Sequence, residues 1–275
     1  MTVFILCLLL PCFIIPPDGL TDLEKHRLKG SVKSVMEIKF TLTEKTANAP
    51  KDKLVYQKFT KYDKYGYVVE NILYRDGTEY LKSAYIFGSD GKPSGMNETT
   101  ADGKHNLNVS YSHDENGNIT QAQYYWAKDY MIGEICEYTD YNNEIMQNDI
   151  FSKVVFTLDY RAYVTEEKFL KDDVSTSFSF TSKYDPRGNR MELSYFKGNG
   201  HLSWISKYKY DRYDNLVESR LFKSNRIAVF STYKYQYDAV GNWVVQREER
   251  EVYVNILTAG LERADMVTER TIEYY

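Results

Sequence analysis

The stretch Ser231–Glu249, STYKYQYDAVGNWVVQREE, decides how this chain reads. Tyr233, Tyr235 and Tyr237 stand at alternate positions. On an extended backbone they share one face, while Lys234 and Gln236 take the other. Asp238 follows, then Ala239 and Val240, then Gly241 and Asn242, and a second apolar run opens at Trp243. An aspartate here accepts bonds from the backbone ahead of it, the next two residues suit the centre of a type I turn, and glycine supplies the positive φ that comes after. The stretch reads as strand, tight turn, strand.

The same unit recurs along the chain. The residue before the turn is Tyr62, Phe87, His113, Thr139, Leu158, Tyr184, Tyr210 and Tyr237, at intervals of 25, 26, 26, 19, 26, 26 and 27 residues. A fixed period of this size marks a repeat architecture. Asp63, Asp114, Asp185 and Asp238 are the structural turn acids, and Gly66, Gly117, Gly188 and Gly241 fill the left-handed position three residues on. Asp214 and Asn143 are acceptable there, whereas Ala162 is a poor fit. Return turns fall at Asp76-Gly77, Asp102-Gly103, Lys128-Asp129, Asp172-Asp173, Gly198-Asn199-Gly200 and Ser224-Asn225.

Two turns per unit leave strands of ordinary length, which predicts an all-β antiparallel meander of about 16 strands in one long, strongly twisted single sheet. A β-propeller or a two-layer sandwich is the alternative way to bury one face. Thr21–Lys29 reads as a short helical or irregular lead-in and Ser31–Lys45 as the first strand. Ile256–Met266 reads as a loop or short helical excursion, and the strand from Val267 to Tyr275 closes the C-terminal edge of the sheet.

Composition narrows the class. Among 275 residues there are 26 Tyr and 6 Pro, a bias that suits strands with half-buried aromatic faces. With 35 basic and 39 acidic residues, nothing points to nucleic acid. Residues 1–20, MTVFILCLLLPCFIIPPDGL, are apolar but broken by Pro11, Pro16 and Pro17, too short for a spanning helix. They read as an export signal, with Cys12 the candidate lipid-bearing cysteine, ahead of one β-hairpin repeat domain over 21–275. No transmembrane span is expected in the mature chain, and Cys136 then stands alone, so no disulfide framework holds a monomer together.

The motif seen as YDPRGN from Tyr184, YDAVGN from Tyr237, HDENGN from His113 and YDRYDN from Tyr210 resembles the YD repeats of the RHS family. The whole pattern, from LKGSVKSVMEIKF at Leu28 to ERTIEYY at the end, looks more like exported or lipid-anchored proteins of Bacteroidota. That resemblance implies a repeat architecture at the periplasm, outer membrane or cell surface. The enclosing shell that RHS repeats build around a toxin is not carried over, because this chain has few units and no appended effector.

No HExxH and no spaced Cys/His set appears, and Ser or Cys nucleophile motifs are missing, so neither a catalytic residue, a metal nor a cofactor is assigned. The row of turn aspartates suits weak calcium binding, although each aspartate satisfying its own turn explains the spacing without an ion. His113 stands where other units carry an aromatic residue. The candidate binding face is aromatic: Trp126, Trp204, Tyr208, Tyr210, Tyr233, Tyr235, Tyr237 and Trp243. Exposed, such rings stack on sugars or hold a peptide; buried, they are cross-strand packing.

The expectation is a non-enzymatic envelope or surface protein that binds a protein or glycan partner through this face. One alternative is a structural module that self-associates through a sheet edge, and another is a hydrolase of envelope polymers with paired carboxylates in a cleft.

Overall fold

In the computed structural model the residues described are 21–44, 49–126, 151–171, 174–255 and 260–275. A short helix, α1 (Asp22–Lys25), precedes β1 (Val32–Leu42), β2 (Lys51–Tyr62), β3 (Val68–Arg75), β4 (Thr78–Phe87) and β5 (Pro93–Thr100). Then come β6 (His105–His113), β7 (Ile119–Trp126), β8 (Lys153–Leu158), β9 (Val164–Leu170), β10 (Thr176–Tyr184) and β11 (Arg190–Lys197). The last five are β12 (Leu202–Tyr210), β13 (Leu216–Lys223), β14 (Arg226–Tyr237), β15 (Trp243–Asn255) and β16 (Gly260–Tyr274).

Each strand pairs antiparallel with its neighbours in sequence, and β1 pairs with β16, so the sheet is a closed barrel. This corrects the expected open twisted sheet and its propeller and sandwich alternatives. The closing seam runs from Val32↔Tyr274 to Thr41↔Met266, and it is antiparallel like the rest. Closure satisfies both edges and hides one whole face, which is how a single layer buries its apolar side without a second layer. The segment from Gly260 to Met266, expected as loop or helix, belongs to β16, and no C-terminal edge is left.

The turns show why the repeat exists. The aspartate carbonyl accepts from the amide three residues on, as in Gly241 N to Asp238 O, and the aspartate amide donates four residues on, as in Asp238 N to Asn242 O. The side chain helps. Asp63 Oδ1 accepts from the amides of Tyr65 and Tyr67, and Asp114, Asp185 and Asp211 repeat this with their own turns. Gly66, Gly117, Gly188 and Gly241 sit at φ of +93°, +85°, +85° and +92°. A one-residue irregularity in register follows every such turn, so that Tyr62 meets Val68, Tyr184 meets Arg190 and Tyr237 meets Trp243. It lets a type I turn join strongly twisted strands.

Tyrosine hydroxyls clip successive hairpins together. Tyr184 Oη donates to Val164 O at 2.9 Å, Tyr210 Oη to Arg190 O at 3.0 Å and Tyr235 Oη to Leu216 O at 2.7 Å. Turn arginines reach the next turn too, Arg161 Nη1 donating to Asp185 O at 2.9 Å. Residues 21–31 cross the mouth at this end. Leu23 N donates to Gly66 O, Arg27 binds Asn189 and Asp214, and Lys29 and Asn242 exchange bonds of 2.7 and 2.9 Å. The turn expected from Thr139 and the return turns Lys128-Asp129 and Asp172-Asp173 lie outside the described residues. β7 pairs directly with β8, as in Gln121↔Val155.

Alternation now assigns the two faces. The inward one carries Ala122, Val154, Phe156, Phe169, Phe178 and Tyr195, all buried. The outward one carries ion pairs along the strands: Lys183–Glu192, Lys209–Glu218, Lys234–Glu249, Arg263–Glu251 and Lys51–Glu269.

The left-handed turn position gives a matched pair of expectations. Gly66→Ala lowers stability by about 1–2 kcal/mol, because an L side chain is strained at φ +93°. Ala162→Gly, at φ +60°, raises stability by about 1 kcal/mol. Urea unfolding midpoints measured side by side check both.

Candidate functional site

The interior divides into two unlike halves. Along β5 to β12 it is a packed aromatic core: Phe169 and Phe178 stack with centroids 4.3 Å apart, Phe151 meets Phe169 edge-on at 5.0 Å, and Tyr195 stacks on Trp204 at 5.6 Å. Each ring contributes roughly 1.5–3 kcal/mol of burial. Two carboxyls stand in this half. Glu98, opposite Ser83 and Leu107, is pushed up to about 7 by burial, which the Ser83 hydroxyl only partly offsets. Glu167, between Phe156 and Phe180, is raised by burial against the opposing pull of Arg190.

From β12 round to β2 the inward face mixes buried apolar residues, Val35, Val229, Val252 and Met266, with polar ones, many of which are only half-buried. Tyr56, Lys58, Ser206, Tyr208, Ser219, Tyr233, Tyr235, Gln246 and Arg270 share this partial exposure while pointing inward. An inward-facing ring that still meets solvent lines an internal space, and barrels of this strand number commonly leave one.

Two ionic groups are built into that wall. Glu248 accepts from Lys39 Nζ and Arg250 Nε, each at 2.8 Å, with all three side chains nearly out of reach of water. Burial pushes its carboxyl upward, but Lys39 and Arg250 outweigh that and hold it at about 2. Glu37 accepts from Arg270 Nε at 2.7 Å and from the Tyr56 hydroxyl. Burial works against its ionisation, yet Arg270 and Tyr56 keep it below the usual range. The Arg270 guanidinium lies over Trp243, 3.3 Å from the ring centroid. Near the mouth, His26 Nδ1 and the Tyr62 hydroxyl are 2.7 Å apart, and burial lowers the histidine to about 4.

The candidate aromatic residues are placed as follows. Trp204 belongs to the packed half. Tyr210 and Tyr235 are the hairpin clips, and Tyr235 also accepts from Gln246 Nε2 at 3.0 Å. Tyr233 shares a 3.0 Å hydrogen bond with Ser219 and faces the open half together with Tyr208. Trp243 packs on Tyr235 with centroids 5.8 Å apart. Tyr237 sits at the turn-bearing rim and is 47% exposed. The side chain of Trp126, and Cys12, lie outside the described residues. Trp204, Tyr208, Tyr210, Tyr233, Tyr235 and Trp243 thus stand on the inward face, to which closure turns their stripe, while Tyr237 stays at the rim.

The turn aspartates are engaged by their own turns. Asp114 is held below the usual range by Asn118 and by turn amides, and in Asp185 burial is outweighed by Asn189 and the turn amides. Among the described residues no group of three or more His, Cys, Asp or Glu is placed to hold a metal. A depression of about 300 Å³ on the outer wall, lined by Glu166, Lys168, Thr181 and Phe196, is separate from the interior.

The charged interior residues escaped the sequence reading. One signal was present: in QREEREVYVN both alternating sets are charged, so that Gln246, Glu248 and Arg250 turn inward while Arg247, Glu249 and Glu251 turn outward.

No family model and no curated protein sequence matches this chain. Solved structures do. A porin-like protein from Bacteroides uniformis ATCC 8492 aligns over 89% of this chain and 98% of its own, with 10% identity and a TM-score of 0.55. A porin-like protein from Bacteroides vulgatus ATCC 8482 covers the same shares with 12% identity and a TM-score of 0.41. A TcdB2-TccC3-TEV structure aligns over 84% of this chain and 16% of its own, with 13% identity and a TM-score of 0.22. The first likeness shows a shared fold, and it goes no further than that.

Two expectations follow. Glu248→Ala leaves Lys39 and Arg250 without their buried anion and costs about 3–5 kcal/mol, against less than about 1 kcal/mol for Glu249→Ala on the outer wall. Chemical denaturation checks the contrast. For Glu98, a folded-state value of about 7 lies above the ordinary 4.5, so the folded form binds the proton more tightly. Its contribution is full below pH 4.5 and is lost as pH rises through 7, a change on the order of 3 kcal/mol. Glu98→Gln flattens that slope between pH 5 and 8, read from urea midpoints across the range.

Proposed function

We propose that this is a non-enzymatic binding protein of the bacterial envelope whose barrel takes an oligosaccharide into the tyrosine-lined half of its interior. The observation that carries the reading is the set of inward but half-exposed rings and hydroxyls, Tyr208, Tyr233, Ser206 and Ser219, beside a fully packed aromatic half. Aromatic faces for stacking, with convergent hydroxyls and amides for orientation, are the chemistry of sugar recognition. Because the rings face inward, a folded protein cannot lie on them. The partner must be small or thin.

The envelope setting is supported by the apolar residues 3–15 and by a fold shared with a porin-like protein. The barrel wall argues against lipid contact. A membrane barrel carries an outward apolar band about 25 Å tall, and a Lys or Arg at its midplane costs about 2–4 kcal/mol. Here the outward mid-strand positions hold Glu192, Lys207, Glu218, Arg220, Lys234 and Glu249. Among the described residues no helix is long and apolar enough to cross a membrane either. We read the barrel as standing in water within the envelope, held there by the N-terminal segment with Cys12 as the lipid-bearing candidate. Closure also removes the free sheet edges that self-assembly through an edge would use.

An oligosaccharide array probed with the full chain tests the reading. Binding is expected, and Tyr208→Ala and Tyr233→Ala each weaken it at least tenfold while the melting transition is retained. Tyr210 and Tyr235 are unsuitable for this test because their hydroxyls hold the backbone. An array without binders, or binding indifferent to both variants, overturns the proposal.

A further inference from the structure

The polar half of the interior is not electrically neutral. Its inward wall holds the carboxylates Glu37 and Glu248 and the cations Lys39, Lys58, Arg250 and Arg270. Glu248 is shared by Lys39 and Arg250, and Glu37 is taken by Arg270 and the Tyr56 hydroxyl. One cation stands out: the ammonium of Lys58, on β2 opposite Glu37 and Leu73, has no ion-pair partner within 4.0 Å and no hydrogen bond among the described residues. It feels Glu37 only through space, with the Arg270 charge opposing.

An ammonium in this position is costly. Burial lowers its pKa, and the nearby Arg270 lowers it further. The neighbouring Glu37 cannot serve it fully, because that carboxylate already accepts from Arg270 and Tyr56. Yet Lys58 is not sealed off: it keeps partial exposure, shared with Tyr56 beside it and with Arg270 one strand beyond Glu37. A lysine that is deep in the barrel, unpaired and still reachable from the internal space is a cation waiting for a mobile anion. Ammonium groups also bind carboxylate and sulfate as compact point charges, without demanding the planar fork that guanidinium provides.

We propose that the ligand of the tyrosine-lined half is an anionic oligosaccharide, carrying a carboxylate or sulfate ester whose charge is met by Lys58. This rests on the oligosaccharide reading above and specifies it. Rings such as Tyr233 and Tyr208 would take the sugar faces, and Lys58 would supply the charge that the wall itself leaves unmatched. Pairing the ammonium removes an uncompensated charge inside the barrel, so ligand and fold stabilise one another.

Calorimetric titration of the full chain with trigalacturonate, 6-sulfated galactotriose and neutral galactotriose tests it. At least one anionic sugar is expected to bind tenfold or more tightly than the neutral one, and the tighter of the two identifies the acid group. Lys58→Met brings that sugar down to the neutral affinity, and Lys58→Arg, which keeps the charge, retains most of the preference. Equal affinity for all three sugars, or an anionic preference untouched by Lys58→Met, overturns the charge assignment and leaves the oligosaccharide reading in place. If none of the three binds and the array is blank, the oligosaccharide reading itself fails.

Discussion

The pairing of β1 with β16 is the constraint on which the rest depends. Those strands lie at opposite ends of the chain, and their ladder joins Val35 to Ile272 and Glu37 to Arg270. Without it, the aromatic stripe of a single-layer sheet would face water along its whole length, and two long edges would offer unpaired amides to other molecules. With it, the same stripe becomes an interior. The seam is also electrostatic: the Glu37–Arg270 pair spans it inside, and Lys33–Glu273 spans it outside. The outer pair is exposed and adds little, whereas the inner one is half shielded and helps fix the register.

The repeat makes closure attainable. Each turn uses one aspartate to satisfy the amides ahead of it, and one left-handed residue to redirect the chain. The hydroxyls of Tyr184, Tyr210 and Tyr235 then bind the preceding hairpin rather than their own. Local bonds thus carry curvature from one unit to the next, as expected of a structure in which units contact mainly their neighbours. Residues 21–31 act differently. They touch turns far apart in sequence, at Gly66, Asn189, Asp214 and Asn242, and so fix the diameter of one mouth.

Much of this was legible in the sequence, and what was not has a physical reason. The strand ends at Tyr62, Phe87, His113, Leu158, Tyr184, Tyr210 and Tyr237 follow from turn chemistry within six residues. Closure could not be read this way, since β1 and β16 are ordinary amphipathic strands whose partnership is set by the curvature accumulated between them. The aromatic ladder was visible, but its side was not: alternation says that Tyr233 and Tyr235 share a face and is silent on whether that face is concave. Gly260–Met266 misled because AGLERADM lacks the alternation of a strand; pairing to β15, from Val252↔Glu262 to Glu248↔Met266, overrides the local pattern.

The charged half of the interior is the feature that packing alone does not account for. Apolar residues of similar volume in place of Lys39, Glu248 and Arg250 would serve stability as well or better, since the desolvation of three ions consumes most of what their attraction returns. The other half of the same barrel shows that this chain can fill an interior largely with aliphatic and aromatic side chains, from Met96 and Val109 to Phe178 and Tyr195. A wall that keeps ions, hydroxyls and one unpaired ammonium next to such a core is therefore not a packing solution. It has the character of a surface folded inward, where polar groups are held rigid by their neighbours and remain within reach of whatever enters.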